Sequence, residues 1–148
     1  MTRTSITIRT MKRADRRAAA EIYRRDRELY FPWVAHPKLK DFAHDSRGEA
    51  LFVAVLDGQI AGFASLYRVM DFIHLLFVAP EFQHRGVGHA LIQALRQEAD
   101  QPLTLKCVIE NEAALRFYDH EGFVIRREDR IAVPANYTLM DTVQNSAS

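Results

Sequence analysis

Gln83-His84-Arg85-Gly86-Val87-Gly88 decides how this 148-residue chain is read. The hexapeptide follows the apolar run Ile73-His74-Leu75-Leu76-Phe77-Val78 and a proline, Pro80. It opens a segment whose apolar positions, Val87, Ala90, Leu91, Ala94 and Leu95, recur at helical spacing. A strand that turns through two glycines into a helix builds an anion site. The first amides of a helix lack intrahelical partners and stand at the positive end of its dipole. Gly86 and Gly88 remove the side chains that would hold a phosphate off that backbone. The stretch points to a phosphorylated ligand.

Elimination narrows which one. The dinucleotide fingerprint G-x-G-x-x-G fails because Leu91 stands three residues after Gly88, and no Gly-Lys-Ser/Thr triplet of a P-loop occurs. What remains is Q-x-x-G-x-G after Leu76-Phe77-Val78-Ala79-Pro80. Downstream, Asn111-Glu112-Ala113-Ala114-Leu115-Arg116-Phe117-Tyr118-Asp119-His120-Glu121-Gly122-Phe123 reads N-x-x-A-x-x-F-Y-x-x-x-G-F. Asn111 is placed as an N-cap and Gly122 as a left-handed helix end. In this order and at this distance, the two motifs resemble the GNAT superfamily of N-acyltransferases, the first being its coenzyme A pyrophosphate loop. The resemblance covers roughly Leu51 to Tyr137, and the first fifty residues match it only loosely.

Composition sets the outer bounds. The length suits one domain, 1–143, with a tail from Gln144 expected to be disordered. Hydrophobic content of 48% with 26% charged residues is that of an ordinary globular protein. A single cysteine, Cys107, excludes an internal disulfide and a thiolate metal cluster; it reads as a core thiol, and no metal is expected. No stretch is apolar enough to span a bilayer and Met1 to Ser5 do not start a signal peptide, so a cytoplasmic protein without membrane partners is expected. Net charge is +1, and acids interrupt the seven Lys/Arg between Lys12 and Arg27. That stretch reads as a solvated helix face and not as a nucleic-acid surface.

Along the chain, Thr4 to Arg9 alternates as a strand, and Ala14 to Tyr30 reads as a helix with Ile22 and Leu29 on its apolar side. Asp41 to Asp45 forms a short helix. Strands over Leu51 to Leu56 and Ile60 to Tyr67 are joined by Asp57-Gly58, a hairpin signal. Phe72 to Val78 is a strand, the glycine loop leads into a helix to about Ala99, and Leu103 to Val108 is a strand. Glu112 to Glu121 is a helix, followed by strands over Phe123 to Arg127 and Tyr137 to Met140. Antiparallel strands followed by strand-helix-strand units make an α/β fold with a mixed, mostly antiparallel central sheet flanked by helices, as the GNAT fold has.

The resemblance implies acetyl-CoA as cosubstrate and an amine as acceptor, with direct attack on the thioester and no covalent enzyme intermediate. Tyr118 matches the family's general acid, with a core aromatic as the competing reading; Phe117 reads as core. Asn111 matches the residue that bonds the pantetheine arm, and it reads equally as a helix cap. Gln83, His84, Arg85, Gly86, Val87, Gly88 and His89 would offer mainly backbone amides to the pyrophosphate, and Leu76, Phe77 and Val78 would run beside the pantetheine. In the family this strand splays from its neighbour there, which makes the Val78 amide a candidate oxyanion donor. Where family members often carry an acid on this strand, the polar residue here is His74, which alternates with Phe72, Leu76 and Val78. It is the candidate general base, against a satisfied half-buried histidine; Asp71 is the reserve. Tyr30, Phe31 and Trp33 form an aromatic stretch suited to wall an acceptor pocket. The acceptor stays open between a small molecule and a protein amino group, and the fold is compatible with a homodimer. An acyl-CoA sensor without chemistry is the alternative function.

Overall fold

Asp57 and Gly58 both adopt positive φ, 54° and 75°, the backbone a two-residue hairpin needs. They join strand β2 (Ala50–Leu56) to β3 (Gln59–Tyr67) as read from sequence. The computed structural model describes residues 5–143, so Thr4 and the tail from Gln144 lie outside the described residues. The remaining strands are β1 (Thr7–Thr10), β4 (Phe72–Val78), β5 (Thr104–Val108), β6 (Phe123–Asp129) and β7 (Asn136–Asp141). The helices are α1 (Arg16–Tyr30), α2 (Asp41–Asp45), α3 (Val87–Glu98) and α4 (Glu112–His120). One sheet runs in the order β1-β2-β3-β4-β5-β7-β6, antiparallel throughout except between β4 and β5.

Both faces of β2 to β4 are covered. On one, Tyr23 of α1 meets the rings of Phe42, Phe63 and Phe77 edge-on, while Phe63 and Phe77 stack across the β3–β4 pair. Successive strand residues face opposite ways, so Gly62 and its partner Val78 face the other side. There a Cβ on Gly62 would lie 3.1 Å from Val87 Cγ1, which places α3 on that side. Leu91, Ile92 and Leu95 of α3 are fully buried.

The first helix departs from the expected pattern. It is entered through a single 3-10 turn, Arg13–Asp15, where Asp15 accepts from the Lys12 amide and from Arg9 of β1, each at 2.7 Å. Leu29, read as apolar-side, is 61% exposed. The buried stripe instead runs through Ala19, Ala20, Ile22 and Tyr23 to Asp26 and Arg27. Arg27 is held there by Asp41 at 2.9 Å and by the Tyr23 ring at 3.8 Å, so the charged residue takes the inward place and Leu29 turns out. Among the described residues no helix is long and apolar enough to cross a membrane.

Asp26 is buried, and its Oδ1 has no hydrogen-bond partner among the described residues. Burial drives its carboxyl up to about 7, with Arg25 pulling it down and Glu81 pushing it up. The folded-state value lies above that of an unfolded aspartate, so the folded chain holds the proton in the interval between them. Stability therefore falls as pH rises from about 4 to about 7. Asp26→Asn is expected to flatten that slope and to stabilise the protein at alkaline pH, as measured by urea unfolding at about pH 5 and about pH 8.

Candidate active site

The site is organised by a failure of pairing. Strands β4 and β5 match over only two residue pairs, Phe72 with Thr104 and Ile73 with Leu105. Beyond them β4 stays on β3 as far as Val78, and β5 stays on β7 as far as Val108. The two strands part like a fork. The Leu75 amide donates to Ser65 Oγ at 3.0 Å and the Ala79 amide to the Ala61 carbonyl at 2.8 Å, both toward β3. Alternation therefore aims the amides of Leu76 and Val78 into the opening.

The glycine loop closes one end of it. His84 and Gly86 carry φ of 62° and 85°, turning the chain so that Gly86 caps α3. Gln83 Nε2 donates to the Val78 carbonyl at 2.9 Å, tying the loop to the strand. The first bond of α3 runs from the Ala90 amide to the Gly86 carbonyl at 3.0 Å, so the amides of Val87, Gly88 and His89 precede it. Side chains contribute less. Arg85 reaches Asp57 only at 3.7 Å, and His89 is turned to Glu121 at 2.9 Å. A Cβ on Gly88 would lie 3.0 Å from the Phe117 ring, so this glycine lets α3 meet α4 closely.

Across the fork, Asn111 caps α4 by accepting from the Ala114 amide at 3.2 Å. The buried Tyr118 ring packs edge-on to Phe117 and Phe123. Burial together with nearby Cys107 of β5 raises the pKa of its hydroxyl, which keeps it protonated. Burial pushes the Cys107 thiol up to about 11, so no thiolate nucleophile is on offer.

His74 stands where the fork opens. The β3–β4 register passes from Ser65–Leu75 to Leu66–Ile73 and skips His74, a local bulge. Burial still alternates along β4: Ile73, Leu75 and Phe77 are buried, while His74 is exposed and Leu76 and Val78 are half-buried. Its Nδ1 lies 2.8 Å from Glu49 Oε2. Glu49 is largely buried, and its Oε1 has no partner among the described residues. Glu49 carried no signal in the sequence: it lies 25 residues from His74 and belongs to no motif. Asp71, the reserve base, is excluded from that role by its bonds. Its Oδ2 accepts from the amides of Asp100 and Gln101, each at 2.9 Å, and the residue is buried.

At the end of α1, Phe31 stacks on Trp33 at 4.8 Å and lies 5.6 Å from Phe77. Tyr30 beside them is half exposed. Phe31 thus joins Trp33 to Phe77, the neighbour of Val78 at the open end of the fork.

The model of the acetyltransferase (GNAT) family matches residues 16–123. The chain belongs to this family. The Escherichia coli ribosomal protein bS18 alanine N-acetyltransferase is 32% identical over 124 residues, covering 79% of this chain and 80% of that enzyme. The E. coli peptidyl-lysine N-acetyltransferase YiaC is 38% identical over 69 residues, 47% of this chain and 46% of that protein, so this match spans about half its length. Among solved structures, a GCN5-related N-acetyltransferase from Rhodopseudomonas palustris superposes with a TM-score of 0.78 at 24% identity, over 97% of this chain and 99% of that one. The acetyltransferase yncA from Salmonella typhimurium, solved with its cofactor acetyl-CoA, gives 0.70 at 23% identity over 92% of each chain. These two likenesses bear on the fold. Acetyl-CoA is the family's cosubstrate, and the fork fits it: two strand amides without a ladder partner face a cleft that ends at a helix N-terminus whose cap, Gly86, supplies no side-chain hydrogen bond.

A bulky residue at Gly88 must displace Phe117 from the mouth of the loop. Gly88→Val is expected to raise the Kd for acetyl-CoA at least about tenfold in calorimetric titration, with the circular-dichroism spectrum retained.

Proposed function

We propose that this chain transfers the acetyl group of acetyl-CoA to a primary amine of a small molecule or a protein by direct attack. The observation that carries the reading is the fork: Leu76 and Val78 amides on one prong, Tyr118 beside the other, and His74 at its root. The relatives named above, which act on a peptidyl lysine and on a ribosomal-protein alanine, support an amine acceptor.

Acetyl-CoA supplies an acyl group already activated as a thioester. The amides of Val87, Gly88 and His89 would hold its pyrophosphate at the positive end of α3. Leu76 and Val78 would bond the pantetheine arm, and Asn111 would serve both that arm and its own helix. Glu49 fixes the His74 tautomer by accepting from Nδ1–H, which leaves the Nε2 lone pair to take a proton from the acceptor ammonium. The freed nitrogen forms the C–N bond while the Val78 N–H donates to the carbonyl oxygen as charge gathers there. As the C–S bond breaks, Tyr118 O–H gives its proton to the sulfur. The tyrosinate is reprotonated from the newly acylated nitrogen, so thiol and amide leave neutral. Phe31 and Trp33 wall the acceptor side, with Tyr30 at its rim.

Tyr118→Phe is expected to lower kcat by about a hundredfold or more while leaving the Kd for acetyl-CoA within about twofold. Full turnover in that variant would remove Tyr118 from the role. His74→Gln is expected to lower kcat/KM by removing the proton acceptor. Glu49→Gln, which keeps the shape and removes the charge, is expected to lower kcat/KM by a smaller factor, because the imidazole loses the carboxylate that orients it. Steady-state kinetics of both variants beside an acetyl-CoA titration would read this; unchanged kcat/KM in both would release the pair from the mechanism.

A further inference from the structure

A shallow groove of about 360 Å³ begins where the fork does. Phe72 and Thr104, the first matched pair of β4 and β5, lie in its wall. Lys106, the next groove residue along β5, is the first to project beyond the last pair, Ile73 with Leu105, just as His74 is on β4. The far wall is built by an irregularity. The β6–β7 register passes from Ile125–Leu139 to Arg127–Thr138 and skips Arg126. In a regular strand two neighbouring residues face opposite sides; a bulge lets both face the same one. Here Arg126 and Arg127 both line the groove. None of the lining residues is acidic, and no ion pair joins Lys106, Arg126 or Arg127 to a carboxylate among the described residues. Three cations thus converge on one depression without internal neutralisation, beside the place where the acceptor nitrogen must arrive. Acids that the chain carries nearby are engaged elsewhere: Glu128 with Arg130, and Asp129 with the amides of Ile131 and Ala132.

We infer that Lys106, Arg126 and Arg127 form an anion subsite, and that the acceptor is a small amine bearing a carboxylate or a phosphate. This rests on the acetyltransfer reading above and specifies its substrate class. The guanidinium pair offers forked donors matched to either anion, and Lys106 adds a point charge on the side nearest His74. The same field repels polycationic acceptors and basic peptide segments. Met70 and Met140 give the groove apolar, adaptable margins for the acceptor's carbon skeleton.

The test is acetyl transfer to amines matched in skeleton and differing in one anionic group: L-glutamate against L-glutamine, L-alanine against L-alaninamide, and O-phosphoethanolamine against ethanolamine. At least one acidic member is expected to exceed its neutral partner in kcat/KM by about tenfold, and which pair does so tells carboxylate from phosphate. Lys106→Ala and Arg127→Ala are each expected to lower that acidic-to-neutral ratio about tenfold, and Lys106→Glu to reverse it. Acetyl-CoA titration of every variant runs alongside. Intact acetyl-CoA binding with no acidic preference in any pair, or with a preference that ignores all three variants, overturns the anion subsite and leaves the acetyltransferase reading standing. Failure of the parent protein to bind acetyl-CoA overturns both.

Discussion

Two adjacent parallel strands that stop pairing after two residues set the terms for everything else in this protein. An unfilled ladder is costly when buried, because each amide loses water without gaining a partner. Here β4 is kept in the sheet by β3, and β5 by β7, so neither strand needs the other to stay in place. The orphaned amides then become a feature of the surface. They offer hydrogen bonds to an amide-bearing ligand, and the sheet remains continuous below them.

Each prong of the fork has its own supports. On the β4 side, Gln83 donates to the Val78 carbonyl and so couples the glycine loop to the strand that it follows. On the β5 side, Tyr118 packs between Phe117 and Phe123, while Phe117 also touches the place where a Gly88 side chain would be. Glycine loop, strand amides and tyrosine are thereby held by short contacts among residues of the two motifs. The proposed acceptor side is assembled differently, from α1's aromatic end, the Glu49–His74 contact and the groove past Thr104. Those pieces come from segments far apart in the chain.

That division also explains what was legible in the sequence. The Asp57-Gly58 hairpin, the Gly86 turn and the Asn111 cap could be read because each depends on a local backbone requirement that few residue types meet. The family motifs lie on those same local features. Leu29 was misplaced because periodicity alone cannot foresee that a distant Asp41 and the Tyr23 ring would hold an arginine inward. The alternation of His74 with Leu76 and Val78 was legible and holds in the burial of β4, but the bulge at His74 leaves no mark in a strand of suitable residues. Glu49, and the pairing of Arg126 with Arg127 on one face, depend on register between strands and were invisible for the same reason.

Asp71 gives the fork a mechanical character. Its carbonyl accepts from the Thr104 amide at 3.3 Å, and its carboxylate holds the amides of Asp100 and Gln101. The residue adopts φ of 52°, a left-handed conformation that an aspartate tolerates better than most. The two strands are thus riveted at their common root and released at their tips, as in a pair of tweezers. Asp71 therefore fixes the closed end of the cleft, the point from which the two strands diverge.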